Sequence, residues 1–503
     1  MTSNGLPGAL LQRPVMSLSL KPWHKIIILF LFLILIPFPL FFGLDTLVVR
    51  EYDEARRAVN AYEMMHDGNL LVTHYQGSPD MWGTKPPLLV WGQALLMKIL
   101  GPGIRAVRLP SALAGLFTCL AIFAFASYYL KNSFFGLIWA LVLVTANGYV
   151  NLHGTRTGDY DALLTLFMTL YSISFFIFLI KNKPKYLYLT FIFTLLAVLT
   201  KGIAGLLFLP ALFLFAWINK SLKLIFLSRH FYWGMLIFSG AVVMYYIGRE
   251  FVNPGYLRAV WENEMGGRYV QSLEGHNQPF WYYLQLLIKP RFSKWIVFVL
   301  PGLIAGFLIK DKLINKLNLL SLFVLVTHFL VISISRTKLP WYDLPEYPFL
   351  ALSVASFIWF FLAWLKNIRD YLKLRVLSVI PLLLLVFIFY EPCRLTLKEV
   401  LRDKEQPWEL PAHEFLYVLR DGVEGWRNLD GYKIVHEGYD AHLQFYLYLL
   451  KEKGQDLDRK DKAALQNGDR VIAHQEEVIS FIKNNYDVDV IETRDYVNMF
   501  IIR

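Results

Sequence analysis

Three features of this sequence predict an α-helical polytopic membrane protein, with about eleven transmembrane helices and a small C-terminal extracytoplasmic α/β domain. The first is composition: of 503 residues, 56% are hydrophobic and 16% aromatic, more apolar surface than a water-soluble globule can hide. The second is arrangement. Apolar runs at 26–40, 164–180 and 376–389 approach the length that crosses about 30 Å of hydrocarbon as helix, without the alternation of a membrane barrel. The third is charge: residues 405–503 hold 12 Lys plus Arg against 19 Asp plus Glu, so the overall +11 leaves +18 upstream. A basic excess in the apolar part marks cytoplasmic loops and anionic headgroups, not nucleic acid.

Along the chain, Lys21 and Lys25 precede the first apolar run as they would in a secretory signal. The run is long and no small-x-small site follows before Asp45, so a retained first span is expected. Further spans are expected to begin near residues 108, 134, 162, 186, 203, 231, 294, 318, 347 and 374. With the amino terminus inside, the basic loops at Lys131, 181–185, 220–229, 310–316 and 366–375 all fall on the cytoplasmic side. The opposite side receives 45–107, 151–161, 200–201, 248–281 and 335–348.

The long first outer loop, 45–107, holds two helical patterns. One is amphipathic over 53–66 and stopped by Gly68; the other is apolar, opened by Pro86-Pro87 and closed by Gly101. At about 14 residues the second is short for a span, so an interfacial position is expected. After Tyr390 the composition turns charged, which divides the chain into a transmembrane part, 1–391, and a soluble part, 392–503. Apolar pulses at 433–436, 470–474 and 488–491, with helical segments at 441–453 and 476–484, predict a small α/β domain there. Cys119 and Cys393 are the only cysteines, too few for a disulfide framework or a CxxC metal site.

The unusual polar residues gather in the outer loops. Glu51-Tyr52-Asp53-Glu54-Ala55-Arg56 opens the first outer helix, where acidic residues favour the helix dipole but a carboxylate can also serve as general base. Lys85 before Pro86-Pro87 either reaches to headgroups or holds an anion. Arg156 and Asp161 lead directly into an apolar span, a costly place for charge unless it is paired or faces a cavity. Lys201 stands alone between two very apolar spans, and a phosphate would suit it. Arg268 and His276 share a polar, aromatic loop, and His276 can ligate a metal, move a proton or hydrogen-bond locally. Lys338 and Tyr342 lie in a loop stiffened by Pro340, Pro345 and Pro348.

Taken in order, several of these segments resemble the membrane-embedded GT-C glycosyltransferases, in the branch of protein O-mannosyltransferases and the lipid A aminoarabinose transferase. They are Asp53-Glu54-x-Arg56, Lys85-Pro86-Pro87, Arg108-Leu109-Pro110-Ser111, Arg156 with Asp161, Leu199-Thr200-Lys201-Gly202, His276 with Pro279-Phe280-Trp281, and Lys338-Leu339-Pro340. The resemblance implies a polyprenyl-phosphate sugar donor and transfer outside the cytoplasm, with inversion, to a lipid, glycan or protein acceptor. It implies Asp53 as the catalytic or acceptor-orienting carboxylate, and Lys85, Lys201 and Lys338 as ligands of the donor phosphate. Arg268 and His276 match the polar loop beside the phosphate, Asp161 an acidic position on the cavity wall, and Glu54, Arg56 and Tyr342 further substrate contacts. A divalent metal is left open.

One position departs from the pattern: Gly83-Thr84 stands where relatives acting on lipid A carry an acidic residue before Lys-Pro-Pro. Two other classes remain for comparison. A lipid-linked oligosaccharide ligase or polymerase would place its long loop and key arginines late in the chain. A secondary transporter would show charge near midplane and an internal repeat, which this sequence lacks.

Overall fold

The computed structural model describes residues 21–266, 275–372, 379–407 and 409–503. Among these, eight helices are long and apolar enough to cross a membrane: Pro22–Phe41, Ile104–Tyr128, Tyr160–Lys181, Pro184–Leu206, Arg229–Val252, Lys312–Ile334, Pro340–Asn367 and Ile380–Val400. The chain is an integral membrane protein. A ninth crossing results if Tyr282–Arg291 and Ile296–Leu308, bent by 117°, act as one broken span. The expected crossings near 134 and 203 are shorter than a span, because Ser133–Val144 has 12 residues and Leu209–Ile218 has 10. At about 1.5 Å per residue each covers roughly half of the hydrocarbon. Apolar runs alone do not reveal such stops: Gly202, at φ 57°, ends the helix Pro184–Lys201 inside an apolar stretch.

The chain forms two compact units. The first comprises the described residues up to Phe42, Met81–Leu89 and Pro110–Val400; the second comprises Gly43–Asp80, Val90–Leu109 and Leu401–Arg503. In the first, small residues let helix backbones approach closely, as is common between membrane helices. A Cβ on Gly302 would fall 1.9 Å from the carbonyl oxygen of Ser353. Trp139 Nε1 donates to the Pro348 carbonyl at 2.7 Å, and Asn318 Nδ2 to that of Leu303 at 2.8 Å, so buried polar groups tie helices to one another.

The second unit is where the sequence boundary moves. Gly43–Asp80 and Val90–Leu109 of the loop 45–107 group with the C-terminal residues, where the amphipathic helix Asp53–Asp67 finds a cover for its apolar face. Ala55, Ala58, Val59 and Tyr62 share a core with Phe445, Tyr446 and Leu449 of the helix Ala441–Glu452. Tyr62 stacks on Tyr448 with centroids 4.6 Å apart and donates to Glu452 Oε1 at 2.8 Å. The helix Asp53–Asp67 therefore spends its apolar face on protein. In the second helix, Leu88–Leu100, Val90, Ala94 and Met97 are buried while Leu95, Ile99 and Leu100 are exposed.

A hairpin of β1 (His74–Tyr75) and β2 (Ser78–Pro79) follows the first helix. The C-terminal sheet contains β3 (Tyr432–Ile434), β4 (Asp458–Arg459), β5 (Arg470–Ala473), β6 (Val488–Arg494) and β7 (Val497–Ile502) in the order β4-β3-β5-β7-β6. β3 runs parallel to β4 and β5, and the β7 pairings are antiparallel. The predicted pulses appear as β3, β5 and β6, and the predicted helices as Ala441–Glu452 and Glu476–Asn485.

The side assignment of the loops leads to a direct test. In a chain lacking Cys119 and Cys393, a membrane-impermeant thiol reagent on intact cells is expected to label Arg258→Cys and not Lys312→Cys, both positions being exposed. Labelling at 312 without labelling at 258 would reverse the topology.

The second unit also carries two histidines, His436 and His442, held neutral by burial. His436 Nε2 donates to the Tyr439 carbonyl at 2.9 Å, so its Nδ1 is the acceptor for His474 Nε2 at 3.0 Å. Burial pulls the His436 imidazole below its usual range. Burial, helped by the charges of His436, His474 and His413, pulls His442 down to about 3. The unfolded chain therefore takes up these protons first, starting near pH 6.5, and the stabilisation present above that pH is lost as pH falls toward 3. For His442 the loss approaches about 1.4 kcal/mol per pH unit. Thermal scans of the full chain at pH 7 and pH 5, read by proteolysis within 401–503, should show the transition falling in acid. His442→Phe should blunt that fall.

Candidate active site

The helices Tyr160–Lys181 and Pro184–Lys201 are joined by a tight turn at Asn182, at φ 48°, and pack side by side. The start of the first is thereby brought to the end of the second. Asp161 lies in the first turn of one helix and Lys201 in the last turn of the other, each on the end that the helix dipole favours. Lys201 Nζ donates to Asp161 Oδ1 at 2.5 Å, and both side chains are buried. The Lys201 ammonium also lies 5.0 Å from the centre of the Tyr342 ring, on the turn Pro340–Glu346.

Just before the Asp161 helix, Thr157 Oγ1 donates to Asp159 Oδ2 at 2.6 Å and His153 Nδ1 lies 3.2 Å from the same oxygen. The His153 ring stacks on Trp341 at 3.5 Å. Burial acts to raise the Asp159 carboxyl, but the His153 charge and hydrogen bond, the Thr157 hydroxyl and the Lys201 charge outweigh it and hold the group below the usual carboxylate range.

Lys85 comes from a different part of the chain. Its Nζ pairs with Glu264 Oε1 at 3.1 Å, and Thr84 Oγ1 reaches the same oxygen at 3.3 Å. Tyr256 donates its hydroxyl to the Thr84 carbonyl at 2.7 Å, and Asn263 Nδ2 donates to the Met81 carbonyl at 3.2 Å. The loop before Pro86-Pro87 is thus fixed to residues 256–264. A carboxylate does meet Lys85, through space from Glu264, although none precedes it in sequence.

These groups line one pocket. Lys85, Asp161, Lys201, Glu264, His328 and Tyr342 supply its polar wall, and Leu164, Ala204, Leu207 and Ile332 its apolar wall. It is narrow, with about 50 Å³ of free space. An apolar groove of about 320 Å³ adjoins it, walled by Val198, Leu206, Val242, Tyr246, Leu257 and Trp261. Lys85, Ile203 and Glu264 belong to both.

Lys338 stands behind this wall. Its buried Nζ donates to the Ser335 carbonyl at 2.5 Å, and Ser335 lines the pocket. Among the described residues it pairs with no carboxylate, and burial pulls its ammonium below the usual range. The Lys338 backbone N–H donates to the His276 carbonyl at 3.0 Å, and Asn277 bridges to Thr337, so two predicted loops do meet. Lys338→Ala is expected to weaken binding of polyprenyl phosphate by about 1.5–3 kcal/mol, roughly ten- to a hundredfold in Kd, without unfolding the chain. Wild-type affinity in that variant would remove Lys338 from the site.

Lys85, Asp161, Lys201 and Tyr342 are therefore brought together, with His276 and Lys338 joined through their backbones. Asp53, Glu54 and Arg56 belong to the second unit. Asp53 is exposed at the start of its helix. Glu54 is fully engaged: Arg108 Nε and Nη2 donate to its two oxygens at 2.7 and 2.8 Å, and the Arg50 N–H adds a bond at 2.7 Å. That buried pair, completed by Arg108 donating to the carbonyls of Leu44, Leu47 and Val48, holds the loop together and leaves Glu54 no free oxygen for a substrate. Arg56 makes two bonds to Asp80, at 2.7 and 3.0 Å, and lies over the Tyr75 ring at 4.4 Å. Arg268 lies outside the described residues. His328 and Glu346 were missed by sequence reasoning. The signal available for His328 was an ionisable residue within an apolar run.

Comparison with known proteins supplies a context. A family model described as dolichyl-phosphate-mannose-protein mannosyltransferase matches residues 84–246. An undecaprenyl phosphate-alpha-4-amino-4-deoxy-L-arabinose arabinosyl transferase of Edwardsiella ictaluri is 25% identical over 346 residues, 67% of this chain and 59% of that protein. Another, from Proteus mirabilis, is 26% identical over 68% of this chain and 61% of its own length. An uncharacterised protein of Aquifex aeolicus is 26% identical over 69% of this chain and 66% of its own length. These matches span less than two thirds of the curated relatives.

Among solved structures, ArnT from Cupriavidus metallidurans bound to undecaprenyl phosphate superposes with a TM-score of 0.69 at 15% identity, over 96% of this chain and 98% of that one. The archaeal oligosaccharyltransferase AglB from Archaeoglobus fulgidus, in complex with an inhibitory peptide and a dolichol-phosphate, gives 0.57 at 11% identity, over 85% of this chain and 64% of that one.

Proposed function

We propose that this chain, which has the GT-C fold and is similar to the protein mannosyltransferase and aminoarabinose transferase branch of that superfamily, moves a sugar from a polyprenyl-phosphate donor to a lipid, glycan or protein acceptor outside the cytoplasm. The main support is the junction of a lysine-bearing polar pocket with an apolar groove through Lys85, Ile203 and Glu264. A polyprenyl phosphate has the same two parts, an anionic head on a hydrocarbon chain. Its phosphate suits Lys85 and Lys201, and the first isoprene units suit the groove.

In transfer, the bond between the anomeric carbon and the phosphate oxygen breaks and the phosphate leaves with the electron pair. The charge it gains is stabilised by Lys85 and Lys201 in surroundings where water no longer screens them. The acceptor attacks from the opposite face, so a single displacement inverts the anomeric carbon. A hydroxyl acceptor gives its proton to Asp53; a phosphate acceptor is already nucleophilic and needs only orientation. Gly83-Thr84 before Lys85 keeps the acceptor class wider than lipid A.

The purified protein in nanodiscs, given a panel of polyprenyl-phosphate sugars and lipid, glycan and peptide acceptors, is expected to yield a glycosylated acceptor and free polyprenyl phosphate by mass spectrometry. Failure to turn over or bind any polyprenyl phosphate would defeat the proposal.

A further inference from the structure

One member of a second buried polar pair, His328, lines the same pocket. His328 sits inside the span Lys312–Ile334, and Glu346 ends the turn Pro340–Glu346. Glu346 Oε1 lies 2.8 Å from His328 Nδ1, and the two residues are 2% and 1% exposed. Phe208 meets the imidazole edge-on, centroids 5.2 Å apart, and fixes the plane of the ring. A buried His–Glu pair is often only a satisfied packing element. Here, however, the imidazole also forms part of the wall that carries Lys85 and Lys201.

The hydrogen bond restricts what the other ring nitrogen can be. In either net-neutral form of the pair, carboxylic acid with imidazole or carboxylate with imidazolium, one proton is shared between Oε1 and Nδ1. In both, Nε2 then carries a hydrogen. Only the net-negative form leaves Nε2 bare, and that form places an uncompensated charge in a site with almost no exposure to water. Nε2 has no protein partner among the described residues. The pair therefore presents an N–H donor that nothing in the described protein uses, on a residue of the pocket wall.

From this geometry we infer that His328 is a further ligand of the donor phosphate, giving it an Nε2–H hydrogen bond, and that Glu346 is the positioning residue that keeps that hydrogen in place. This rests on the reading of the pocket as a phosphate site. It also suits the reaction. As the leaving phosphate gains negative charge, the shared proton can pass from Oε1 to Nδ1, making an imidazolium beside the phosphate and a carboxylate on the far side. No proton enters or leaves the pair.

Two substitutions at one position separate this from a structural role. His328→Asn keeps an amide where Nδ1 lies, preserving the contact with Glu346, and removes the group that faces the pocket. His328→Gln reaches the Nε2 position with an N–H and gives up the Glu346 contact. Dissociation constants for undecaprenyl phosphate and for undecaprenol are measured in detergent micelles, with Tm followed in parallel. His328→Asn is expected to weaken undecaprenyl phosphate about tenfold while undecaprenol is unchanged, and His328→Gln to stay within about threefold of wild type, the scale of one hydrogen bond to a charged group. Glu346→Gln should lower the preference for phosphate over alcohol without changing undecaprenol affinity, a split that a purely structural partner would not produce. Wild-type discrimination in His328→Asn, or equal weakening of both lipids in both His328 variants, overturns the assignment. A wild-type protein that does not prefer the phosphate overturns the phosphate-site reading itself, and this inference with it.

Discussion

Replacing Asp53 by Asn is expected to slow glycosyl transfer about 10²- to 10⁴-fold while donor binding and fold persist, the usual cost of losing a general base. The side chain is well placed for the experiment to be clean. Asp53 opens the helix Asp53–Asp67, is exposed, and makes no hydrogen bond or ion pair among the described residues. Asn keeps its size, and the helix-dipole contact it gives up is worth about 0.3–1 kcal/mol. Turnover and Tm measured on the same preparation distinguish the two roles. A well-folded Asp53→Asn protein with near-normal transfer would end the catalytic assignment, and Asp161 would be the next carboxylate to examine. Glu54 is the poorer substitute, because both of its oxygens already accept hydrogen bonds from Arg108.

The second large effect should come from breaking the Asp161–Lys201 pair. Lys201→Met removes one charge from a buried contact of 2.5 Å and leaves Asp161 without its counter-charge. Such an orphaned buried charge typically costs about 3–5 kcal/mol. The double variant Lys201→Met/Asp161→Leu replaces the pair by apolar groups of similar shape and should regain most of the lost stability. Transfer should not return, because the ammonium assigned to the donor phosphate is still missing. Thermal unfolding and turnover of the two variants and the wild type decide the matter. Recovery of transfer in the double variant would mean that Lys201 serves the fold alone.

The contrast between Asp53 and Glu54 shows where sequence reasoning stops. The two are adjacent acidic residues at one helix start, and hydropathy treats them alike. One is exposed, while the other is buried against an arginine 54 residues away. Lys85 and Lys201 were legible as lone cations at outer helix ends. Their partners were not: Glu264 is 179 residues from Lys85, and Asp161 is 40 residues from Lys201. The pair of His328 and Glu346 spans 18 residues and a chain reversal, so neither residue announced the other.

Hydropathy and backbone preference belong to each residue and add up along the chain. The sequence by itself therefore determined that the protein lies in a membrane, where its spans fall to within the two short helices, and that its C-terminal residues hold the strands β3, β5 and β6 and two helices. Side-chain pairing and the division into units depend on which faces meet after packing. No local period encodes that the amphipathic face of Asp53–Asp67 is covered by Ala441–Glu452, or that one lysine meets one carboxylate at a pocket wall. Those contacts join segments far apart in the chain, and only the tertiary structure decided them.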